Sequence, residues 1–221
     1  MITVGIVDYQ MGNLRSVAKG IEKVGGRVIV SSDPEELSLA SHLILPGVGA
    51  FGDAMRELNQ RDLIPWIKDW IASDRPFLGI CLGMQLLFDN SEEGGLQPGM
   101  SVLPGRVVRF DNDSFPGNEH RKIPHMGWNR VQSRIANDPM LSSISHDPYV
   151  YFVHSYYVVP DDPRVTWLSC DYGQEFCAAV RVGNMLATQF HPEKSQTEGL
   201  QILKNFLTLT PTPEAIVYSN V

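Results

Sequence analysis

The feature that most constrains the fold is a short apolar run that ends in a cysteine and continues as a helix. Phe77–Cys81 has the composition of a buried strand, and Gly83 and Gln85 follow at once. A side chain raised on a sharp strand-to-helix turn is the geometry of a nucleophile elbow. We expect Gly79 and Gly83 to permit the turn and to leave room for a substrate beside the sulfur. The start of the following helix would favour a thiolate, although a packed, inert cysteine is the alternative.

The segments before this cysteine alternate between strand patterns and helix patterns. Such alternation implies a parallel sheet with helices on both faces. Ligands in these sheets bind beyond the carboxyl ends of the strands, where Cys81 falls. The predicted strands cover residues 2–8, 27–30 and 42–45, and the predicted helices begin near residues 13, 52 and 63.

The second half of the chain is richer in glycine, proline and short strand patterns, which indicates a partly antiparallel arrangement. We therefore predict an α/β fold with a mostly parallel central sheet flanked by helices and with additional antiparallel strands, as a single domain over residues 1–221. The predicted later strands cover residues 105–110, 128–132, 149–159, 165–170, 176–182 and 185–190, and a last helix covers 198–207. Residues 111–122 read as a polar loop, and the tail after Thr210 matches no pattern.

The charge and cysteine content exclude several classes of partner. A net charge of −7 argues against nucleic acid and anionic membranes. The three cysteines, Cys81, Cys170 and Cys177, form no C-x-x-C pair, so neither a disulfide framework nor a metal site is expected. With no basic leader and no membrane-spanning run, we expect a cytoplasmic protein.

A base for Cys81 is offered by a strand that ends in His191-Pro192-Glu193. In an extended chain, residues two apart point to the same side, so Glu193 can reach the imidazole of His191 and orient it. Together with Cys81 this gives a nucleophile, a base and an orienting acid. Taken alone, the His-Pro-Glu sequence is more commonly the end of a loop with a solvated carboxylate.

A glycine-bracketed loop follows the third predicted strand at residues 46–51. Acyl transfer develops negative charge on the substrate oxygen, and backbone N–H groups can receive it. We expect the N–H groups of Val48 and Gly49, with that of Leu82 after the nucleophile, to form this oxyanion hole. The alternative is an ordinary β-turn before a helix.

The combination of Gly79-x-Cys81-x-Gly83-x-Gln85 with His191-x-Glu193 and a preceding Pro-Gly loop resembles the class I, or triad, glutamine amidotransferases over nearly the whole chain. Within that superfamily, residues 8–13, 46–51, 124–129 and 154–157 resemble the glutaminase subunits of imidazole glycerol phosphate synthases, which act in histidine biosynthesis.

The resemblance implies hydrolysis of L-glutamine without a cofactor. Cys81 would attack the side-chain amide, His191 would protonate the departing ammonia and then activate water, and Glu193 would hold the imidazole. The resemblance also implies a set of substrate-binding residues, which are Gly49, Gln85, Ser155 and Tyr156. From the residues alone, Gln85 could instead face solvent on its helix, and Tyr156 could serve strand packing.

The resemblance further implies a heterodimer with a cyclase that receives the ammonia. A (β/α)₈ barrel takes about 250 residues, so that cyclase must be another chain. Asn13, Trp128 and Lys194 fall where the family meets this partner. Trp128 could equally be a core aromatic residue.

The loop at Val48 departs from the wider superfamily, in which many members carry a second glycine at this place. Gly47 and Gly49 on either side would let the peptide rotate. We hypothesise that the Val48 N–H points away from the oxyanion until the loaded partner binds, which would keep glutamine hydrolysis low in the isolated chain.

Two other functions remain open at this point. A γ-glutamyl peptidase could use the same triad without passing ammonia to a partner, although residues 124–129 argue against it. A non-catalytic binding or regulatory subunit is the second alternative, and the intact Cys81, His191 and Glu193 argue against that.

Overall fold

The structure, a computed structural model, describes residues 1–111 and 121–211. In its first half, strands and helices alternate, and the last strand leads directly into a one-turn helix. The elements are β1 (Thr3–Val7), α1 (Leu14–Lys23), β2 (Arg27–Ser31), α2 (Pro34–Ser38), β3 (His42–Gly47), α3 (Phe51–Gln60), α4 (Leu63–Ala72), β4 (Phe77–Cys81) and α5 (Leu82–Gln85).

The second half consists mostly of strands and closes with one helix. Its elements are β5 (Phe88–Ser91), β6 (Gln97–Pro98), β7 (Leu103–Arg109), β8 (His125–Arg130), β9 (Gln132–Ser133), β10 (Tyr149–His154), β11 (Tyr156–Pro160), β12 (Thr166–Asp171), β13 (Glu175–Val182), β14 (Met185–Thr188) and α6 (Gln196–Phe206).

Twelve of the described strands form one sheet, whose main path has the order β2-β1-β3-β4-β14-β13-β11-β7-β5-β6. From β2 to β14 the neighbouring strands are parallel, and from β14 to β7 they are antiparallel. Because β14 pairs with β4, the last of the described strands lies beside the strand that carries Cys81. The predicted mixed α/β fold is confirmed.

The sheet is covered on both faces, which explains why its central strands are continuous apolar runs. Alternate residues of β3 pack into different clusters: Leu43 and Leu45 belong to one, and Ile44 belongs to the other. Helices α3 and α4 cover the first face, whereas α1 and α6 cover the second. Such a sheet holds the carboxyl ends of β3, β4 and β14 rigidly side by side.

The prediction of one strand over residues 149–159 is wrong. The extended segment is interrupted at Ser155. As a result, β10 pairs with β8 in a separate two-stranded sheet, while β11 joins the main sheet. Apolar alternation reports only that a backbone is extended, and it cannot report a change of partner strand. Strands β5 and β6 were not predicted either, because both are short and polar.

The polar loop predicted at residues 111–122 lies largely outside the described residues, as does the tail from residue 212 onward. Within the described residues, no helix is long and apolar enough to cross a membrane. No group of three or more His, Cys, Asp and Glu side chains in residues 1–111 and 121–211 is arranged to hold a metal ion.

Candidate active site

Cys81 is the last residue of β4 and adopts a strained backbone conformation, with φ of 56° and ψ of −110°. A positive φ is unusual for a residue with a side chain and marks a position that the surrounding structure enforces. Here the strain falls on Cys81 itself, not on the two glycines beside it. A Cβ on Gly83 would overlap the carbonyl oxygen of Leu45, and one on Gly79 would lie 2.8 Å from the carbonyl oxygen of Gly83. The glycines therefore serve close backbone packing under the cysteine, which corrects their expected role in making room for substrate.

His191 follows β14 and is fixed by hydrogen bonds to its backbone and its ring. Its N–H donates to the carbonyl of Tyr151 at 3.0 Å, and its carbonyl accepts from the hydroxyl of Ser195 at 2.6 Å. Its ring Nδ1 lies 2.9 Å from the Glu193 Oε1, and that carboxylate side chain is fully buried. Because a carboxylate only accepts, Nδ1 carries the hydrogen and Nε2 is the nitrogen left for chemistry.

The electrostatic environment of His191 favours its charged form. Burial lowers the pKa of the imidazole, but the Cys81 and Glu193 side chains raise it by more, and the net pKa is about 9. At neutral pH the ring is therefore an imidazolium, which stabilises a thiolate beside it and holds a proton for a leaving group. The Nε2 atom is buried and has no hydrogen-bond partner of ordinary geometry within the described residues.

The two strand ends open on one cavity of about 320 Å³. Glu193 lies behind His191, out of the cavity, where an orienting acid is expected. Seven more of the predicted catalytic, oxyanion and substrate residues share the lining with Cys81: Val48, Gly49, Leu82, Gln85, Ser155, Tyr156 and His191.

The structure decides between the alternatives for Gln85. This residue is only 5% exposed, so it does not face solvent. Its Nε2 donates to the Tyr156 carbonyl at 3.1 Å and to the Gln189 Oε1 at 3.0 Å. Only its Oε1 is therefore left to meet a substrate. Tyr156 both lines the cavity and packs against the core, so its two expected roles coexist.

The loop after β3 does not present its central N–H to the cavity. The Val48 N–H donates to the Met11 carbonyl at 2.8 Å. The Tyr9 hydroxyl donates to the Pro46 carbonyl at 2.8 Å and holds the loop from the same side. Burial, with a smaller contribution from Cys81, raises the pKa of Tyr9, so its hydroxyl keeps this hydrogen. The observed orientation is the one hypothesised for the isolated chain.

Glu93 and Gln189 are polar residues near the nucleophile that were not predicted from the sequence. Glu93, in the turn between β5 and β6, lines the cavity, and its Oε2 accepts from the Phe51 N–H at 2.8 Å. No local pattern connects it to the site. Gln189 is fully buried, with its Nε2 3.7 Å from the Cys81 Sγ. A signal existed for Gln189, since it stands two residues before His191 on the same run of extended chain.

The residues expected at a partner surface lie outside the cavity. Trp128 is 44% exposed on β8, so the core alternative for this residue is wrong. The Trp128 ring lies 6.1 Å from the Tyr151 ring, and the Lys194 Nζ lies 5.9 Å from the same ring. Asn13 caps α1, where its Oδ1 accepts from the Ser16 N–H.

The histidines away from the cavity differ in their surroundings. His42 is buried at the start of β3, where burial lowers its pKa to about 4. His146 has a side chain that is 97% exposed and lies beside Asp147. His120 lies outside the described residues.

Comparison with known proteins agrees with this geometry. The family model described as glutamine amidotransferase class-I matches residues 5–209. The chain therefore belongs to the class I glutamine amidotransferases. Among its relatives, the imidazole glycerol phosphate synthase subunit HisH of Rhodopirellula baltica is 55% identical over 208 residues, which are 94% of this chain and 97% of the relative. The protein of the same name from Geobacter sulfurreducens is 52% identical and covers 93% of this chain and 98% of its own length.

Solved structures support the fold at much lower identity. A crystal structure of a glutamine amidotransferase superposes with a TM-score of 0.67 at 19% identity, over 92% of this chain and 96% of that one. A structure of PurLQS from Thermotoga maritima has a TM-score of 0.70 at 19% identity, over 93% and 97% of the two chains. At this identity the likeness concerns the fold alone.

Proposed function

We propose that this chain hydrolyses L-glutamine to glutamate and ammonia at the Cys81 cavity, as the glutaminase subunit of an imidazole glycerol phosphate synthase in histidine biosynthesis. The observation that carries the catalytic assignment is the pairing of His191 with Glu193 at 2.9 Å, on a ring whose charge is stabilised by Cys81. The subunit role is supported by relatives that are about half identical over nearly the full chain.

The reaction proceeds in two steps that use the same three side chains. The Cys81 Sγ attacks the side-chain carbonyl carbon of glutamine, and the C–N bond breaks as His191 gives its proton to the departing amine. Ammonia leaves, and a γ-glutamyl thioester remains. His191, now neutral, takes a proton from water as the water attacks the thioester, so that glutamate is released and the starting state returns. Glu193 holds the ring with Nε2 towards the sulfur throughout.

Substrate recognition is assigned to the wall opposite the triad. Gln85 offers its Oε1, and Gly49, Ser155 and Tyr156 surround the amino acid end of the substrate. Glu93 adds a partly buried carboxylate to this lining. We assign it to the α-ammonium group of the glutamine substrate, because opposite charges form strong hydrogen bonds. The Val48, Gly49 and Leu82 N–H groups would receive the oxyanion once the loop turns.

We assign the receiving reaction to a separate cyclase subunit with a (β/α)₈ barrel, which would form a heterodimer with this chain in the cytoplasm. Ammonia must reach its acceptor before water protonates it, which requires docking close to the cavity. The relatives are named as subunits of a synthase, which supports a partner chain. Trp128, Lys194 and Asn13 are the residues that we place at the interface.

The test is a reconstituted complex that carries Cys81→Ala. We expect glutamine-driven cyclisation to fall below detection, because the nucleophile is gone, while added ammonia still supports cyclisation. The measurement is product formation with glutamine and with an ammonium salt at the same pH. Loss of both activities would show that the cysteine serves the assembly instead of the hydrolysis.

A matched control is Cys177→Ala, which removes a second buried cysteine from the same sheet. This variant should retain both glutamine-driven and ammonia-driven turnover. Faster hydrolysis of γ-glutamyl peptides than of glutamine by the unmodified complex would instead favour a peptidase.

A further inference from the structure

Gln189 is a buried amide that contacts the nucleophile and has no role in the mechanism above. Its side chain is 0% exposed, and its Nε2 lies 3.7 Å from the Cys81 Sγ. A buried amide must satisfy its hydrogen bonds within the protein. The direction in which this amide faces therefore decides whether the sulfur meets a donor or an acceptor.

Gln85 decides that direction. The Gln85 Nε2 lies 3.1 Å from the Tyr156 carbonyl oxygen, and because a carbonyl can only accept, this atom must be the amide nitrogen. Its second hydrogen meets the Gln189 oxygen at 3.0 Å. With its oxygen engaged, Gln189 has to present N–H to Cys81.

The Tyr156 carbonyl also meets a buried histidine, His154, which is itself paired with a second one, His125. The His154 Nδ1 lies 2.8 Å from this carbonyl and therefore carries a hydrogen. The His154 Nε2 lies 3.0 Å from the His125 Nδ1. His125 and His154 form the last pair of the small sheet of β8 and β10, which carries the exposed Trp128. His154 thus connects this sheet to the Tyr156 carbonyl in β11 of the main sheet.

Only one pattern of hydrogens fits this pair. Burial lowers the pKa of His125 to about 4, and burial, with smaller electrostatic contributions, lowers that of His154 to about 3. A neutral imidazole has one donor and one acceptor, so the His154 Nε2 accepts and the His125 Nδ1 donates. The His125 Nε2 is then an acceptor, and the Asn129 Nδ2 lies 3.4 Å from it.

We infer that Gln189 is a further catalytic residue, which donates a hydrogen bond to the Cys81 thiolate, and that His154 and His125 are positioning residues for its amide. A donor at the sulfur stabilises the anion and restricts the direction of its attack. The histidines act through the hydrogen bonds described above, and His154 also lines the cavity. The inference rests on the proposed function in that Cys81 is the nucleophile.

The test measures the rate at which iodoacetamide alkylates Cys81 in the isolated chain, as a function of pH. Gln189→Met keeps the side-chain volume and removes the donor, and we expect the rate at pH 7 to fall about fivefold, the value of one net hydrogen bond. Gln189→Glu places an acceptor against the sulfur, and we expect a larger fall, of about tenfold or more. Wild-type alkylation rates in both variants would overturn the inference.

Controls separate this role from packing. Gln60→Met makes the same substitution at an exposed position at the end of α3 and should leave the alkylation rate unchanged. The urea midpoint of each variant shows whether it is folded. A packing role alone would lower that midpoint without moving the pH profile of alkylation, and this result would also overturn the inference.

His154 offers a pair of variants that test the positioning role. In place of the His154 ring, an asparagine side chain can put its amide nitrogen at the position of Nδ1. A glutamine side chain instead puts its amide at the position of Nε2. We expect His154→Asn to alkylate within about twofold of wild type and His154→Gln to fall about fivefold. Equal rates in the two variants would overturn the positioning role of His154.

Glutamine hydrolysis by the unmodified complex is assayed in parallel, which separates the two proposals. If the complex hydrolyses glutamine and Gln189→Met alkylates normally, only the inference about Gln189 fails. If the complex does not hydrolyse glutamine and the variant alkylates slowly, the proposed function fails and the contact between Gln189 and the sulfur stands.

Discussion

The two sides of the Cys81 cavity differ in how ready they are for catalysis. On one side, His191 already bonds Glu193 at 2.9 Å, and its ring is stabilised as a cation. On the other side, the Val48 N–H donates to the Met11 carbonyl at 2.8 Å, so its hydrogen is used within the protein. The proposed base is assembled, whereas the proposed oxyanion hole is not.

The difference has a physical origin in what holds each side. Cys81 and His191 lie at the ends of the neighbouring buried strands β4 and β14, and the Glu193 side chain is fully buried. These three residues could only move together with the sheet. The Val48 peptide is held by one backbone hydrogen bond, and Gly49 beside it has a φ of 99°. Rotation of one peptide between glycines costs far less than repacking a sheet. Hydrolysis can therefore be controlled at the loop while the nucleophile stays intact.

The largest expected effect comes from removing the proposed base, His191. His191→Ala removes both the cation beside the sulfur and the proton for the leaving ammonia. We expect glutamine hydrolysis by the complex to fall by about 10³-fold or more, as for other triad members. Alkylation of Cys81 at pH 7 should also slow, which a stopped assay of iodoacetamide incorporation measures.

His146→Ala is the matched control for that variant, because its side chain is 97% exposed. It should leave both rates unchanged. Retention of most of the hydrolysis by His191→Ala would mean that His191 has a structural role beside Cys81.

The second effect concerns the loop that carries Val48, on the other side of the cavity. One oxyanion donor is worth about 10² to 10³ in rate, so the isolated chain should hydrolyse glutamine slower than the loaded complex by about that factor. Val48→Gly eases rotation of the peptide and should raise hydrolysis by the isolated chain about two- to fivefold. Steady-state release of glutamate measures both, and Cys81 alkylation should be the same with and without the partner.

A partner that raises glutamine hydrolysis without changing Cys81 alkylation would assign the control of hydrolysis to the loop. Equal hydrolysis by isolated chain and complex would remove the regulatory role of the loop. An alkylation rate that rises with partner binding as much as hydrolysis does would mean that the triad, too, is assembled by the partner.

Much of this site was predictable from the sequence because its parts are local. Cys81 stands at the end of one apolar run, and His191 with Glu193 at the end of another. The carboxyl ends of neighbouring strands in a mostly parallel sheet meet at one edge, so two local signals were enough to place the base beside the nucleophile.

The remaining contacts depend on pairings that no local pattern records. Gln85 and Gln189 are 104 residues apart in the chain, and His125 meets His154 only because β8 and β10 form a sheet of their own. The predicted single strand over residues 149–159 concealed that sheet. An extended segment has the same appearance in the sequence whichever neighbour it pairs with.

The smallest expected effect comes from the hydrogen bond between the Tyr9 hydroxyl and the Pro46 carbonyl. Tyr9→Phe removes one of the bonds that hold the loop in its resting position, so hydrolysis by the isolated chain should rise two- to threefold, about half of one net hydrogen bond. Because the buried Pro46 carbonyl loses its donor, the free energy of unfolding should fall by about 1 kcal/mol. Urea unfolding and glutamate release measure the two. A variant that loses stability without gaining activity would show that Tyr9 supports the fold alone, and would leave the Val48–Met11 hydrogen bond as what holds the loop.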